Sequence, residues 1–206
     1  STLSSSSKTY GASNPTVGFT SPGLVGSDTI TVTHRYTSAG GYNSTTMPSD
    51  AGSYTVTPEA ASVSPGSTSN YSFTYNGTAY TINQAASVLS LAAATVRYGD
   101  TLNVTTLLTN GAGTGAVTYD ITVGVACAIT SSTTLTVTNA SGTCTLRGQK
   151  AADTNYSANS ATATITFSKR LITVKSSNAS KVTNATEPNL NGYTITSGTL
   201  YGSDTI

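Results

Sequence analysis

Charge is the scarcest property of this chain. Asp, Glu, Lys and Arg together make up 8% of its 206 residues, about a third of the roughly 25% usual in soluble domains. Nine basic and eight acidic residues leave a formal net charge of +1, and none of them cluster. Nothing here builds a field that would steer the chain to nucleic acid or anionic lipid. The same shortage of Lys and Glu argues against long solvated helices. Tryptophan is absent, and methionine and histidine occur once each. Ser/His/Asp catalysis would have to run through His34, yet no Gly-x-Ser-x-Gly elbow surrounds any serine, so His34 reads as a surface or strand-edge side chain. The eight carboxylates are scattered singly. They form neither the acidic loop of a calcium-binding hand nor the close pair of a glycosidase. The glycines are spaced for turns, with no Lys-Ser/Thr beside them to complete a phosphate loop. These absences name no catalytic residue, no metal ligands and no cofactor, and the chain is expected not to be an enzyme. No apolar run reaches the roughly 18 residues of a membrane helix; the longest candidate, 85–96, is short and broken by serine. The opening STLSSSSK lacks the charged-then-apolar pattern of a signal peptide.

What is present is hydroxyl and strand former. Ser and Thr supply about a third of the residues, so the surface is polar without a strong field. Thr, Val, Tyr and Ile favour strands, and the class is all-β. A long internal repeat organises the chain. SPGLVGSDTI, from Ser21 to Ile30, returns as SGTLYGSDTI from Ser197 to Ile206, with seven of ten positions identical. Upstream, Lys8 and Pro15 return as Lys181 and Pro188. A period this long is a pair of domains rather than a solenoid unit of roughly 20–50 residues. The sequence therefore reads as one full period and the opening of the next: modules at 1–85 and 86–170, and a partial third at 171–206.

In the first module, Thr29–Tyr36, Ser53–Thr57, Tyr71–Tyr75 and Thr78–Ile82 alternate as half-buried strands. Asn76-Gly77 between the last two predicts a two-residue hairpin with positive φ at both positions. Tyr54, Tyr71, Phe73, Tyr75 and Tyr80 are expected to pack in the core and across strands. The ordered motifs KTYGASNP, GLVGSDTI, DAGSYTV and NYSFTYNGTAYTI over residues 8–83 resemble the MBG domain, a β-rich, β-grasp-like repeat of large bacterial surface proteins. The resemblance implies a tandem stalk or adhesin module without catalytic residues.

Strands are predicted in the second module at Thr101–Leu108, Ala116–Val123, Thr133–Thr138, Thr143–Arg147 and Ala161–Phe167, which suggests an antiparallel sandwich. The chain lacks the buried Trp of antibody-type domains. VRYGDTLNV, SGTCTLRGQKAADTNYSA and TATITF instead resemble a bacterial Ig-like domain. Cys127 and Cys144 are the only cysteines. With no Cys-x-x-Cys and no clustered histidine they make a poor zinc site, and they read as a disulfide within this module.

Eight Asn-x-Ser/Thr sequons occur, and with Ser and Thr so frequent many arise by chance. Asn43, Asn139 and Asn178, in turn-like segments, are the more accessible candidate glycosylation acceptors. Three functional readings remain open. The leading one is a structural repeat segment of a bacterial extracellular stalk, adhesin or surface fibre, giving reach and mechanical rigidity, with neighbouring repeats or copies of itself as partners. The second is a self-assembling extracellular filament subunit whose partial third module is completed by a neighbour's strands. The third is an adhesin module whose exposed tyrosines contact host or environmental glycans or proteins. All three place the chain outside the cell.

Overall fold

A computed structural model describes residues 1–188 and 192–206. It is all-β: no α-helix occurs among the described residues. By its contacts the chain divides into two compact units. The first comprises Ser1–Ser87 with the short segments Ala112–Gly115 and Ala151–Asn159. The second comprises Val88–Gly111, Ala116–Lys150 and Ser160–Ile206.

The first unit contains β1 (Thr2–Leu3), β2 (Ser7–Thr9), β3 (Val17–Gly18), β4 (Thr29–Thr37), β5 (Asn43–Ser44), β6 (Gly52–Ser64) and β7 (Thr78–Asn83). Five of them form a sheet in the order β2-β7-β6-β4-β5. Alternation along TITVTHRYT and TAYTIN puts every second residue on one face, and Tyr36, Val56, Tyr80 and Ile82 are buried there. The long β6 is the spine. A bulge between Thr31 and Thr33 of β4 inserts an extra residue on the β6 side, where Ala60 takes a positive φ of 51°. Pro58 fits in β6 because β7 pairs with it only from Gly52 to Val56; beyond that point this side of the strand needs no donor. The first and last strands of this sheet, β2 and β7, pair in parallel, Ser7 opposite Thr81.

One prediction fails here. Tyr71–Gly77 is not a strand, and neither Asn76 nor Gly77 has positive φ. Gly77 instead lies close over β6: a Cβ there would meet Thr55 Cγ2 at 2.7 Å and Thr57 Oγ1 at 2.8 Å. The glycine is required for close approach rather than for a turn, so the aromatic stretch runs outside the sheet.

The second unit contains β8 (Leu89–Leu91), β9 (Ala94–Arg97), β10 (Thr101–Asn103), β11 (Leu108–Asn110), β12 (Val117–Val123), β13 (Cys127–Ser131), β14 (Thr134–Val137), β15 (Thr143–Lys150) and β16 (Asn159–Ser168). They form a four-stranded sheet β12-β15-β16-β9, a three-stranded sheet β10-β14-β13 and a pair β8-β11. The core is drawn from both larger sheets: Val96, Cys144, Leu146, Ile165 and Phe167 from one, Cys127, Leu135 and Val137 from the other. The predicted strand Thr101–Leu108 is broken by a 3-10 turn at Val104–Leu107. Asn103 causes the break, its Oδ1 accepting from Thr105 N at 3.1 Å and Thr105 Oγ1 at 2.9 Å. A short polar side chain offers the backbone an alternative to the ladder. In this four-stranded sheet too, the first and last strands in chain order are parallel neighbours, Ile165 of β16 opposite Ala94 of β9.

Residues 171–206, part of the second unit by their contacts, repeat the opening of the chain in structure as well as sequence. β17 (Thr173–Ser176) and β18 (Tyr193–Ser197) pair with Lys175 opposite Thr194 and Ser176 opposite Tyr193. These are the counterparts of Thr2 opposite Gly18 and Leu3 opposite Val17. The turn bond Ala12 N to Thr9 O recurs as Ala185 N to Val182 O, and Asp28 N to Val25 O recurs as Asp204 N to Tyr201 O. Asn184 adopts the left-handed conformation of its counterpart Gly11, with φ of 66° and 81°, as asparagine does more readily than other non-glycine residues. Lys8 donates to Asn14 Oδ1, and its counterpart Lys181 pairs with Glu187. The counterpart of β2, 180–182, is not a strand.

Candidate functional site

Because Tyr71–Asn76 leaves the sheet, the first unit has an open groove of about 350 Å³. Its floor is the inner face of the sheet, through Ile30, Val32 and Pro58. One wall is the loop Phe19–Leu24, and the other is the aromatic stretch itself. Along that stretch Tyr71, Phe73 and Tyr75 form a row with ring centroids 6.3 Å apart at each step. The Phe73 and Tyr75 planes are within 7° of parallel.

Both ends of the row are pinned through hydroxyls. Tyr71 Oη donates to Asp28 Oδ2 at 2.6 Å and accepts from Val25 N at 3.2 Å. The bond to the Asp28 carboxylate favours the protonated phenol and raises the Tyr71 pKa, with Val25 N opposing it. Gly66 makes this possible, since any Cβ at that position would overlap the Asp28 carboxylate. Tyr75 Oη accepts from Ala61 N at 3.0 Å. That donor is available because the bulge around Ala60 takes it out of the ladder with β4. The bulge thus re-aims a backbone group at a side chain, a recurrent use of such irregularities. Asp28, inside the repeated GSDTI, is the anchor of this row.

The predicted packing of the five rings divides. Tyr80 is buried in the core; Tyr54, Tyr71 and Phe73 are half-buried, and Tyr75 is 40% exposed. His34 lies on the sheet face that carries Ile30 and Val32, its ring centroid 6.4 Å from that of Phe19. Its Nε2 is shielded from solvent and lacks a hydrogen bond among the described residues. No group of three or more His, Cys, Asp or Glu side chains converges among the described residues.

The other sequence candidates are dispersed. Cys127 and Cys144 form a disulfide joining β13 to β15, with Cα atoms 6.5 Å apart. Asn139 and Asn178 are exposed in connecting segments, and Asn43 is exposed on β5, its Oδ1 accepting from Arg35 Nη1 at 2.9 Å. The sequon at Asn155 is engaged: its Oδ1 accepts from Ala51 N at 2.8 Å and its Nδ2 donates to Asp50 Oδ1 at 3.1 Å.

Beside Asn155, Asp153 organises its loop of the first unit. Thr114 donates to Oδ2 through its backbone N at 2.6 Å and its hydroxyl at 2.9 Å. Asn155 N and Tyr156 N each donate to Oδ1 at 2.8 Å. These donors, Thr114 N foremost, hold the carboxyl at about 2, below its usual 3.8. A depressed carboxylate contributes stability above its unfolded pKa and loses it as pH falls through the folded value. The thermal midpoint of the first unit should therefore drop as pH is lowered from about 4 to about 2, and Asp153→Asn should flatten that drop. An unchanged acid profile in the variant would show that Asp153 does not contribute.

Residues 2–81 match the family of MBG domains of the YGX type. Tyr10-Gly11-Ala12 is the sole Tyr-Gly-X tripeptide inside the match. No family model matches the second unit, and no curated protein matches the chain. The N-terminal region is thus an MBG domain, a type typical of repeats in bacterial surface proteins.

Proposed function

We propose that this chain is a structural repeat segment of a bacterial extracellular stalk, adhesin or surface fibre, and that its task is to bear tension rather than to catalyse. The observation that carries the reading is that, in the largest sheet of each unit, the strands first and last in chain order pair in parallel, β2 with β7 and β9 with β16. Pulled from its two ends, such a pair is loaded in shear. Its evenly spaced, slanted hydrogen bonds share the load and must fail together. A terminal antiparallel hairpin would instead unzip one bond at a time. Recurrence of the β1–β3 pairing, at the two equivalent register positions, in β17–β18 supports tandem repetition. The disulfide suits an oxidising, extracellular setting.

The second unit reads as the bacterial Ig-like partner module. Its sheets β10-β14-β13 and β12-β15-β16 follow the B-E-D and C-F-G orders of that sandwich, with β9 extending the second.

Pulling single molecules by atomic-force microscopy tests the proposal. Each unit should give a distinct force peak. Reduction of Cys127–Cys144 should lengthen the second unit's extension by about 5 nm, the 17 residues it spans at ~3.5 Å each less their folded separation. Extension of either unit without a force peak would defeat the load-bearing reading.

A further inference from the structure

We infer that the aromatic groove of the first unit is a binding site for a neutral oligosaccharide. The inference is independent of the load-bearing role: a groove that binds nothing leaves that role intact, and a unit that extends without resistance leaves the groove intact.

The chemistry of the lining selects the ligand class. No charged side chain lines the groove; the charge at its edge is the terminal ammonium of Ser1, which donates to Asn76 O at 3.0 Å. An ionised ligand such as a sialylated, sulfated or uronic-acid glycan would lose hydration there with no charged side chain to receive it. The lining nevertheless mixes two kinds of surface. Tyr71, Phe73, Tyr75 and Phe19 give apolar ring area, while Thr20 and Ser21 on the other wall add hydroxyl groups. A pyranose has the matching composition, with a C–H face for an aromatic ring and a rim of hydroxyls for polar partners. A purely apolar ligand would leave those polar groups unpaired.

Ser72, Phe73, Thr74 and Tyr75 make no backbone hydrogen bond to other described residues. Ser72, Thr74 and Tyr75 are exposed, so backbone groups of this stretch are hydrated and available to a ligand's hydroxyls. The wall is also preorganised. Tyr71 is fastened to Asp28 and Tyr75 to Ala61 N, so little side-chain freedom is left to lose on binding. At about 350 Å³ the groove falls at the small end of the roughly 300–1,000 Å³ typical of ligand sites. It would hold one or two sugar units of a longer chain whose remainder stays in solvent.

The test is amide chemical-shift mapping of the whole ¹⁵N-labelled chain. It is titrated separately with neutral hexasaccharides of glucose, galactose, mannose and N-acetylglucosamine, with an oligogalacturonate, and with an uncharged Val/Thr hexapeptide. At least one neutral hexasaccharide should shift the amides of Ser72–Asn76 and of the 19–24 loop, with no response to the oligogalacturonate. Tyr75→Ala should weaken that binding about tenfold. Tyr193→Ala, at a tyrosine 45% exposed and outside the groove, should leave it unchanged. Four results would overturn the inference. They are no shift in these amides with any neutral sugar up to about 10 mM, equal binding by folded Tyr75→Ala, binding of the anionic sugar alone, and binding of the peptide in place of the sugars. The wild-type map decides the matter even if Tyr75→Ala does not fold.

Discussion

Tyr80→Ala will destabilise the first unit by about 3–5 kcal/mol, whereas Tyr80→Phe will leave it at least as stable as the wild type. Tyr80 is 0% exposed and the largest of the fully buried side chains. It stands opposite Tyr54 in the β6–β7 pairing. Truncation removes its transfer free energy and leaves a cavity that neighbouring strands, fixed by their ladders, cannot close. Against a typical net stability of about 5–15 kcal/mol the loss is a large fraction, and this unit has no disulfide to limit its unfolding. The hydroxyl behaves differently. Its oxygen is buried without a hydrogen-bond partner among the described residues, a condition that costs about 1–3 kcal/mol, so deleting it removes a penalty.

Burial, together with Tyr36 and Tyr54, raises the Tyr80 pKa above 10. A raised pKa means a contribution fully present below the unfolded value of about 10 and lost as pH climbs through the folded one. Tyr80→Phe should accordingly also blunt alkaline unfolding. Urea denaturation of both variants checks the pair. Equal losses for Phe and Ala would mean that the hydroxyl is satisfied and that the assignment of the penalty is wrong.

Removing the disulfide, as the Cys127→Ala/Cys144→Ala double variant, will destabilise the second unit by about 3 kcal/mol in the chain-entropy account of a 17-residue loop. That loss corresponds to a drop of about 10 °C in its melting temperature. The bond ties β13 of one sheet to β15 of the other through two core positions. Its loss frees the connection between the sheets in the unfolded chain, and removal of the two core sulfurs adds a smaller cavity cost. Calorimetry should show the second unit's transition moving and the first unit's staying. Unfolded, unreduced wild-type protein should give no reaction with a thiol reagent. Two reactive thiols, or an unmoved second transition, would contradict the prediction.

Much of this was legible from residues alone where a local rule governs the outcome. Gly11, Gly23 and Gly26 sit at positive φ where the spacing of glycines marks turns, since only glycine pays no steric penalty there; Gly18, marked in the same way, lies in β3. Asp153-Thr-Asn155 is a turn because its aspartate can bond the amides two and three residues on. The local rule misled at Asn76-Gly77. A dipeptide that fits a two-residue hairpin also fits a close crossing over another strand, and what decides between them is Thr55 and Thr57, some twenty residues away. Period-two alternation in Tyr71–Tyr75 correctly aligned the three rings on one side, but alternation specifies a face, not a neighbour. The rings therefore became a groove wall instead of part of the sheet.

By itself the sequence determined the all-β class, the repeat that joins 8–30 to 181–206, and the pairing of its only two cysteines. Composition, identity and count are properties of the chain before it folds. Only the tertiary structure decided that Tyr71 would be held by Asp28, 43 positions away, and that a bulge at Ala60 would hand Ala61 N to Tyr75. It alone also brought the first and last strands of each unit's largest sheet side by side in parallel. Each of these depends on which remote segments share an edge or a cavity. That choice is settled by loop closure and packing over the whole unit, and no short stretch of sequence contains it.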